Sequence, residues 1–316
     1  MTAGGRYRFF AVRIAATVPL LLIVLFVVFV LVRFVPGDPV RGLLGLRATP
    51  ELVAQLNAEL GFDKPVLPGY ADYVGRVAQG DLGTAIKAGK PVSELIAERA
   101  EVTLWLVVAG SLLSLLISVP LAVIGALRRD RAADHAVRAV SVFWLTLPPF
   151  WLGLVLVTAV ALPTGWFPVS GFGDTFSEKV QAIVLPAVTL AIGLAPIQVR
   201  ALRSSLARVW QSDFVDALRA VGVPGRRLFW RHVLPNAVVP VITVLAVQVS
   251  GLLFVTVVIE NTFALPGLGE ALVTAVAQRD YAVVQGITLV SALVVIGIQL
   301  LVDILHAALD PRVTMS

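Results

Sequence analysis

Long stretches of the chain carry no charge, and they recur at intervals that suit membrane helices. Charge-free windows lie between Arg13 and Arg33, Glu101 and Arg128, Arg138 and Asp174, Lys179 and Arg200, Arg231 and Glu260, and Asp280 and Asp303. Each is long enough for the roughly 20 mostly apolar residues that a helix needs to cross a bilayer core. The pattern predicts six spans, with cores near 14–33, 102–127, 139–162, 181–200, 237–259 and 284–306. The third window exceeds one helix, and Pro163, Gly165, Pro168, Gly171 and Gly173 turn its last part into a loop.

Composition agrees. Of 316 residues 58% are hydrophobic and 14% charged, and the mean hydropathy is +0.91, too apolar for a soluble domain of this length. The fold class expected is all-α integral membrane. The apolar run from Ile14 to Val32 follows Arg6, Arg8 and Arg13 but is too long for a signal-peptide core, and no small-residue cleavage site follows it. It reads as a retained first span. There is no cysteine, and His135, His232 and His306 are scattered, so neither a thiolate nor a histidine metal site is indicated. The net charge of +5 resides largely in arginines of short connectors and carries no nucleic-acid signature.

Those arginines set the orientation. Arg6, Arg8 and Arg13, then Arg128, Arg129, Arg131 and Arg138, then seven arginines from Arg200 to Arg231 fall on one side. The opposite short connectors hold only Lys179 and Arg279. The positive-inside rule places both termini in the cytoplasm, and the segment from Pro36 to Glu101 outside. In that segment Thr49 reads as a helix N-cap, Pro50 as the first helical position and Gly61 as the C-terminal stop, so it is expected to be folded. The organisation expected is an N-terminus and first span over 1–35, an external loop domain over 36–101, a five-helix core over 102–310 containing a cytoplasmic loop at 201–236, and a tail at 311–316.

The cytoplasmic loop holds an amphipathic segment. Phe214, Leu218 and Val221 repeat at helical spacing as an apolar stripe. Asp213, Asp216 and Arg219 fall opposite, with Asp216 and Arg219 spaced for an i, i+3 ion pair. Ser212 or Asp213 can cap the start, and Gly222 with Pro224 ends the helix. So short a helix needs something to pack against. Its acidic outer face disfavours anionic lipid and favours a groove on a protein partner.

Asp216–Ala217, Gly222 and then Leu234–Pro235 resemble the cytoplasmic "EAA" loop of ABC-importer permeases, with Asp for the usual Glu and Leu218 for the second Ala. Arg231–His232–Val233–Leu234–Pro235–Asn236–Ala237 is similar to the branch that imports dipeptides, oligopeptides and nickel complexes. Pro36–Gly37–Asp38–Pro39, Leu60–Gly61–Phe62–Asp63–Lys64–Pro65, Gly80–Asp81–Leu82–Gly83 and Pro149–Phe150–Trp151–Leu152–Gly153 resemble its B-type permease. So do Glu260–Asn261–Thr262–Phe263–Ala264–Leu265–Pro266–Gly267–Leu268–Gly269 and Arg279–Asp280–Tyr281. The resemblance implies a type I ABC-importer permease in the cell inner membrane. It would pair with a second homologous permease, two cytoplasmic ATPase domains that bind ATP and Mg, and an external substrate-binding protein. The coupling residues implied are Asp213, Phe214, Asp216, Ala217, Leu218, Arg219, Gly222, Leu234 and Pro235, with Pro235 starting the fifth span.

Short peptides are the leading cargo implied, with a metal complex as the alternative. An ion-coupled carrier is the rival from another class, but it needs mid-span charges and repeated halves, and neither is visible. No nucleophile–base pair suggests an enzyme, and the single Gly-Lys pair, Gly89–Lys90, is followed by Pro91 and forms no ATP-binding loop. No cofactor is expected on this chain. Gln198, Thr243, Gln248, Ser250 and Gln299 are candidate pathway residues or interhelical hydrogen-bonding groups. Glu260, Arg279 and Asp280 read as part of an outer gate or docking platform, or as solvated surface charges.

Overall fold

The computed structural model describes residues 17–30, 33, 48–60 and 63–309. Its contacts separate two compact units, one drawn from Met1–Glu101 and Glu270–Gly297, the other from Val102–Gly269 and Ile298–Ser316.

In the first unit, helix α1 (Thr17–Val30) is the described part of the first window. Helix α2 (Pro50–Leu60) begins where Thr49 Oγ1 accepts from Leu52 N at 3.3 Å; Gly61 lies outside the described residues. Helix α3 (Val66–Ala78) lies against α1 through aromatic contacts. Phe29 stacks on Tyr73 at 5.6 Å between centroids, Phe26 meets Tyr70 edge-on at 5.2 Å, and Tyr70 OH donates to Leu22 O at 2.7 Å. A small antiparallel hairpin, β1 (Thr84–Ala85) and β2 (Lys90–Pro91), leads into α4 (Val92–Leu127).

The second unit is helical. After α4 come α5 (Ala132–Thr146) and α6 (Pro149–Leu156), then a π-helical turn at Val157–Ala161 and three more helical residues. A straight third span over 139–162 does not form, because α5 and the helix that follows it meet at 96°. The cause is local: Leu147 and Pro148 are extended, and Pro149 has no N–H with which to continue the ladder. Next come α7 (Phe176–Trp210), opened by a Thr175–Glu178 capping box, and the short α8 (Asp213–Ala220). Then follow α9 (Gly225–Leu228), a π turn at Phe229–Val233, and α10 (Leu234–Thr262). Helix α11 (Leu268–Gln278), unexpected in what read as an external loop, precedes α12 (Tyr281–Leu309).

Among the described residues, Val92–Leu127, Phe176–Trp210 and Tyr281–Leu301 are long and apolar enough to cross a membrane, and the bent pair makes a fourth if counted as one. Thr17–Val30 is a shorter apolar stretch within the first window, and Val247–Thr262 is one that runs from the fifth window past Glu260. Two apolar clusters hold the second unit. One gathers Leu106, Leu190, Leu252 and Ile259; the other gathers Leu202, Leu206, Val215, Leu228 and Val233.

Candidate coupling helix and buried polar contacts

Helix α8 is fastened to its own chain by Val215, which lies off the stripe assigned to a partner, and by one member of that stripe, Leu218. Val215 is fully buried in the second cluster, with Leu218 packed beside it, whereas Phe214 is 43% and Val221 77% exposed. Both stripes satisfy helical spacing, and the inner one is Val215–Leu218. Phe214, Ala217 and Val221 are therefore exposed, as are Asp213 and Asp216. The capping expectation also changes: no side chain caps α8, and Ser212 Oγ donates back to Val209 O. The Asp216–Arg219 pair forms, at 2.8 Å, and the Arg219 guanidinium lies 5.0 Å from the centre of the Trp210 ring.

The C-terminal end is a Schellman motif. Gly222 takes φ +81°, its N–H donates to Arg219 O at 2.9 Å, and Val223 N donates to Leu218 O at 3.1 Å. Leu218 and Val223 both pack against the same apolar cluster, so one residue serves anchor and cap together. Pro235 does not start a helix from a loop. The backbone is already helical from Gly225, and a π turn with Leu234 N donating to Phe229 O leads into α10, with Pro235 in its first turn. The proline's missing N–H falls where the ladder changes register.

Of the candidate pathway residues, Gln198 and Gln248 join a network that ties three helices. Gln198 Nε2 donates to Ser114 Oγ at 3.0 Å and to Gln248 Oε1 at 3.1 Å, while Ser118 Oγ donates to Gln198 Oε1 at 2.9 Å. Gln248 Nε2 donates to Leu194 O at 3.1 Å. Gln198 is fully buried, so α4, α7 and α10 are joined there by satisfied amides and hydroxyls. Ser250 is half-buried and Gln299 exposed; the Thr243 side chain lies outside the described residues.

Two of the three charges near the span ends are not solvated. Glu260 is fully buried and accepts from Thr103 Oγ1 and from Gly269 N, both at 2.7 Å; Thr103 Oγ1 in turn accepts from Leu268 N at 2.9 Å. A Cβ at Gly267 would overlap the Glu260 carboxylate, which explains the glycine in Pro266–Gly267–Leu268–Gly269. In the other unit Asp280 is 3% exposed, and its Oδ2 accepts from Lys87 N at 3.3 Å. Burial pushes this carboxyl up, against the backbone N–H groups of Lys87, Val283 and Ile86, which favour its charged form. Only Arg279 is exposed, with φ 58° at the end of α11.

A further charged contact escaped the sequence reading. Asp134, fully buried, receives Arg203 Nε and Nη2, each at 2.6 Å, Arg138 Nη2 at 3.1 Å and the N–H of Asp130 at 3.0 Å. These donors, Arg203 foremost, hold its carboxyl down to about 2. The available signal was a carboxylate set among Arg128, Arg129, Arg131 and Arg138.

Comparison with known proteins gives this geometry a family. Residues 118–315 match the model described as binding-protein-dependent transport system inner membrane component, and residues 6–107 match its N-terminal counterpart. The glutathione transport system permease protein GsiC of Salmonella typhi is 35% identical over 301 residues, covering 95% of this chain and 97% of that one. The oligopeptide transport system permease protein AppB of Bacillus subtilis is 34% identical, with the same coverage. The probable D,D-dipeptide transport system permease protein DdpB of Escherichia coli is 34% identical, covering 91% and 92%. Among solved structures, a chain of the MetNI methionine ABC transporter in inward-facing conformations aligns with TM-score 0.54 at 17% identity, covering 68% of this chain and 96% of that one. A chain of an amino acid ABC transporter also aligns at 0.54, with 13% identity, covering 69% and 95%; both likenesses speak for the fold alone. The chain thus belongs to the inner-membrane component family of binding-protein-dependent transport systems, as a non-catalytic permease subunit of an ABC importer with the type I permease fold.

Proposed function

We propose that this permease moves short peptides, or small solutes of similar chemistry, inward from an external binding protein, and that α8 is its contact with a partner ATPase. The observation that carries the coupling role is the exposed Phe214–Ala217–Val221 stripe on a helix anchored from behind by Val215 and Leu218 and closed at Gly222. A short helix braced in this way transmits motion as a rigid body instead of fraying. ATP and Mg belong on two ATPase domains, and a second homologous permease completes the pathway. The peptide cargo is supported by the three relatives, whose names specify glutathione, oligopeptides and D,D-dipeptides. Both termini, Asp134 and α8 face the cytoplasm; the hairpin at Thr84–Pro91 faces outward.

Reconstituted vesicles containing both permeases, the ATPases and the binding protein test the reading. Uptake of a labelled di- or tripeptide is expected to require ATP and to vanish with Phe214→Asp. Uptake driven by an ion gradient without ATP would overturn it. Orientation has its own assay: Ala132→Cys and Ser212→Cys are labelled only from the cytoplasm and Ala88→Cys only from outside.

A further inference from the structure

Where α4 ends, the second unit contains a cleft of about 340 Å³ whose lining combines Leu127, Trp210 and Phe229 with Arg129, Arg131 and Gln211. We propose that it binds the phosphate headgroup of an anionic phospholipid. The apolar side fits an acyl chain: Leu127, 55% exposed, closes an apolar helix whose Ile124 is also exposed at 43%, so lipid-facing surface runs to the cleft mouth.

The polar side fits a phosphate. Among the described residues Arg131 pairs with no carboxylate, and Arg129 has only an exposed contact of 3.5 Å with Asp130. Arg131 also stands at the N-cap of α5 and makes no side-chain capping bond there. Basic clefts between membrane helices, at the level where hydrocarbon gives way to water, suit anionic headgroups. Trp210 is the amphipathic aromatic expected at that level.

Occupancy has a mechanical consequence. Trp210 touches Phe229 with centroids 6.1 Å apart and carries Arg219 of α8 on its ring. A headgroup beside Trp210 braces the root of the exposed helix. The binding claim rests on membrane residence and is independent of whether α8 docks on an ATPase, so either can fail without the other.

The test uses the full chain, delipidated in detergent and titrated with phosphatidylglycerol or phosphatidylcholine, with retained lipid counted by native mass spectrometry. Two cations, each contributing about fivefold, predict roughly 25-fold preference for phosphatidylglycerol. Arg129→Gln with Arg131→Gln is expected to erase the preference, and Arg→Lys at both positions to keep most of it. Arg226→Gln with Arg227→Gln, exposed and outside the cleft, is the charge-matched control and leaves the preference intact. Equal retention of the two lipids, or equal loss in the control, overturns the proposal. Displacement by inorganic phosphate at concentrations similar to the lipid reassigns the site to a free anion and also overturns it. A cleft that loses its lipid when the ATPases assemble, with the arginines then protected by protein, is a protein interface instead.

Discussion

Truncating Val215 and Phe214 separately to Ala distinguishes the face that holds α8 from the face that α8 presents. Val215 is fully buried. Losing two methyl groups at about 0.8 kcal/mol each, plus the cavity they leave, destabilises the second unit by about 2–3 kcal/mol. Phe214 is nearly half exposed, so its truncation changes the stability of the isolated chain by less than about 0.5 kcal/mol. If Phe214 is the aromatic anchor in a partner groove, however, its loss costs about 2 kcal/mol of binding, or roughly 30-fold in affinity. Thermal denaturation of the purified chain reads the first quantity. Titration of the ATPase against the chain in vesicles reads the second. Val215→Ala is expected to lower the melting temperature, and Phe214→Ala to weaken the complex with melting unchanged. The reasoning fails if Phe214→Ala leaves the affinity intact, or if Val215→Ala weakens binding without loss of stability. Leu218→Asp does not isolate docking, because Leu218 packs inward and the charge would dislodge the helix.

Gly222→Ala has open space for its Cβ and is expected to cost only the left-handed backbone term, about 1–2 kcal/mol; Gly222→Pro also loses the N–H that reaches Arg219 O and costs about 3 kcal/mol or more, both read by hydrogen exchange over 213–223. Glu260→Ala leaves the Thr103 hydroxyl and the Gly269 N–H buried without their acceptor, a loss of about 3–5 kcal/mol in thermal denaturation, with Glu260→Gln milder; equal, negligible losses would return Glu260 to the solvated class. Asp134 is depressed from 3.8 to about 2, so its stabilisation is complete above about pH 4 and disappears as pH falls toward 2. Melting temperatures over that interval should fall less steeply for Asp134→Asn.

Much of this was legible in the sequence, for physical reasons. Charge-free windows mark membrane helices because charge is costly in hydrocarbon, and glycine followed two residues later by proline marks the end of α8 because few residues tolerate φ +81°. The inner face of α8 was not legible. In eight residues the Phe214–Leu218–Val221 and Val215–Leu218 patterns are both helical, and tertiary packing chose the second. The bend at Pro148–Pro149 was written in the prolines but masked by the unbroken apolar run around them. Glu260 was hardest: a lone carboxylate near a span end reads as surface, and its donors Thr103 and Gly269 lie at distances that helical spacing cannot reveal.

Helix α7 of the second unit is pinned to its neighbours by two kinds of chemistry, to α5 by charge and to α4 and α10 by neutral polar groups. Toward one end of α7, Asp134 grips Arg203 with full charges, and that grip weakens in strong acid. In the middle, Gln198, Gln248, Ser114 and Ser118 use groups that neither gain nor lose a proton at any pH a cell meets. A membrane protein commonly separates compartments of unequal acidity. A clasp of amides and hydroxyls holds equally well against either, and it offers protons no titrating site by which to leak while solute crosses.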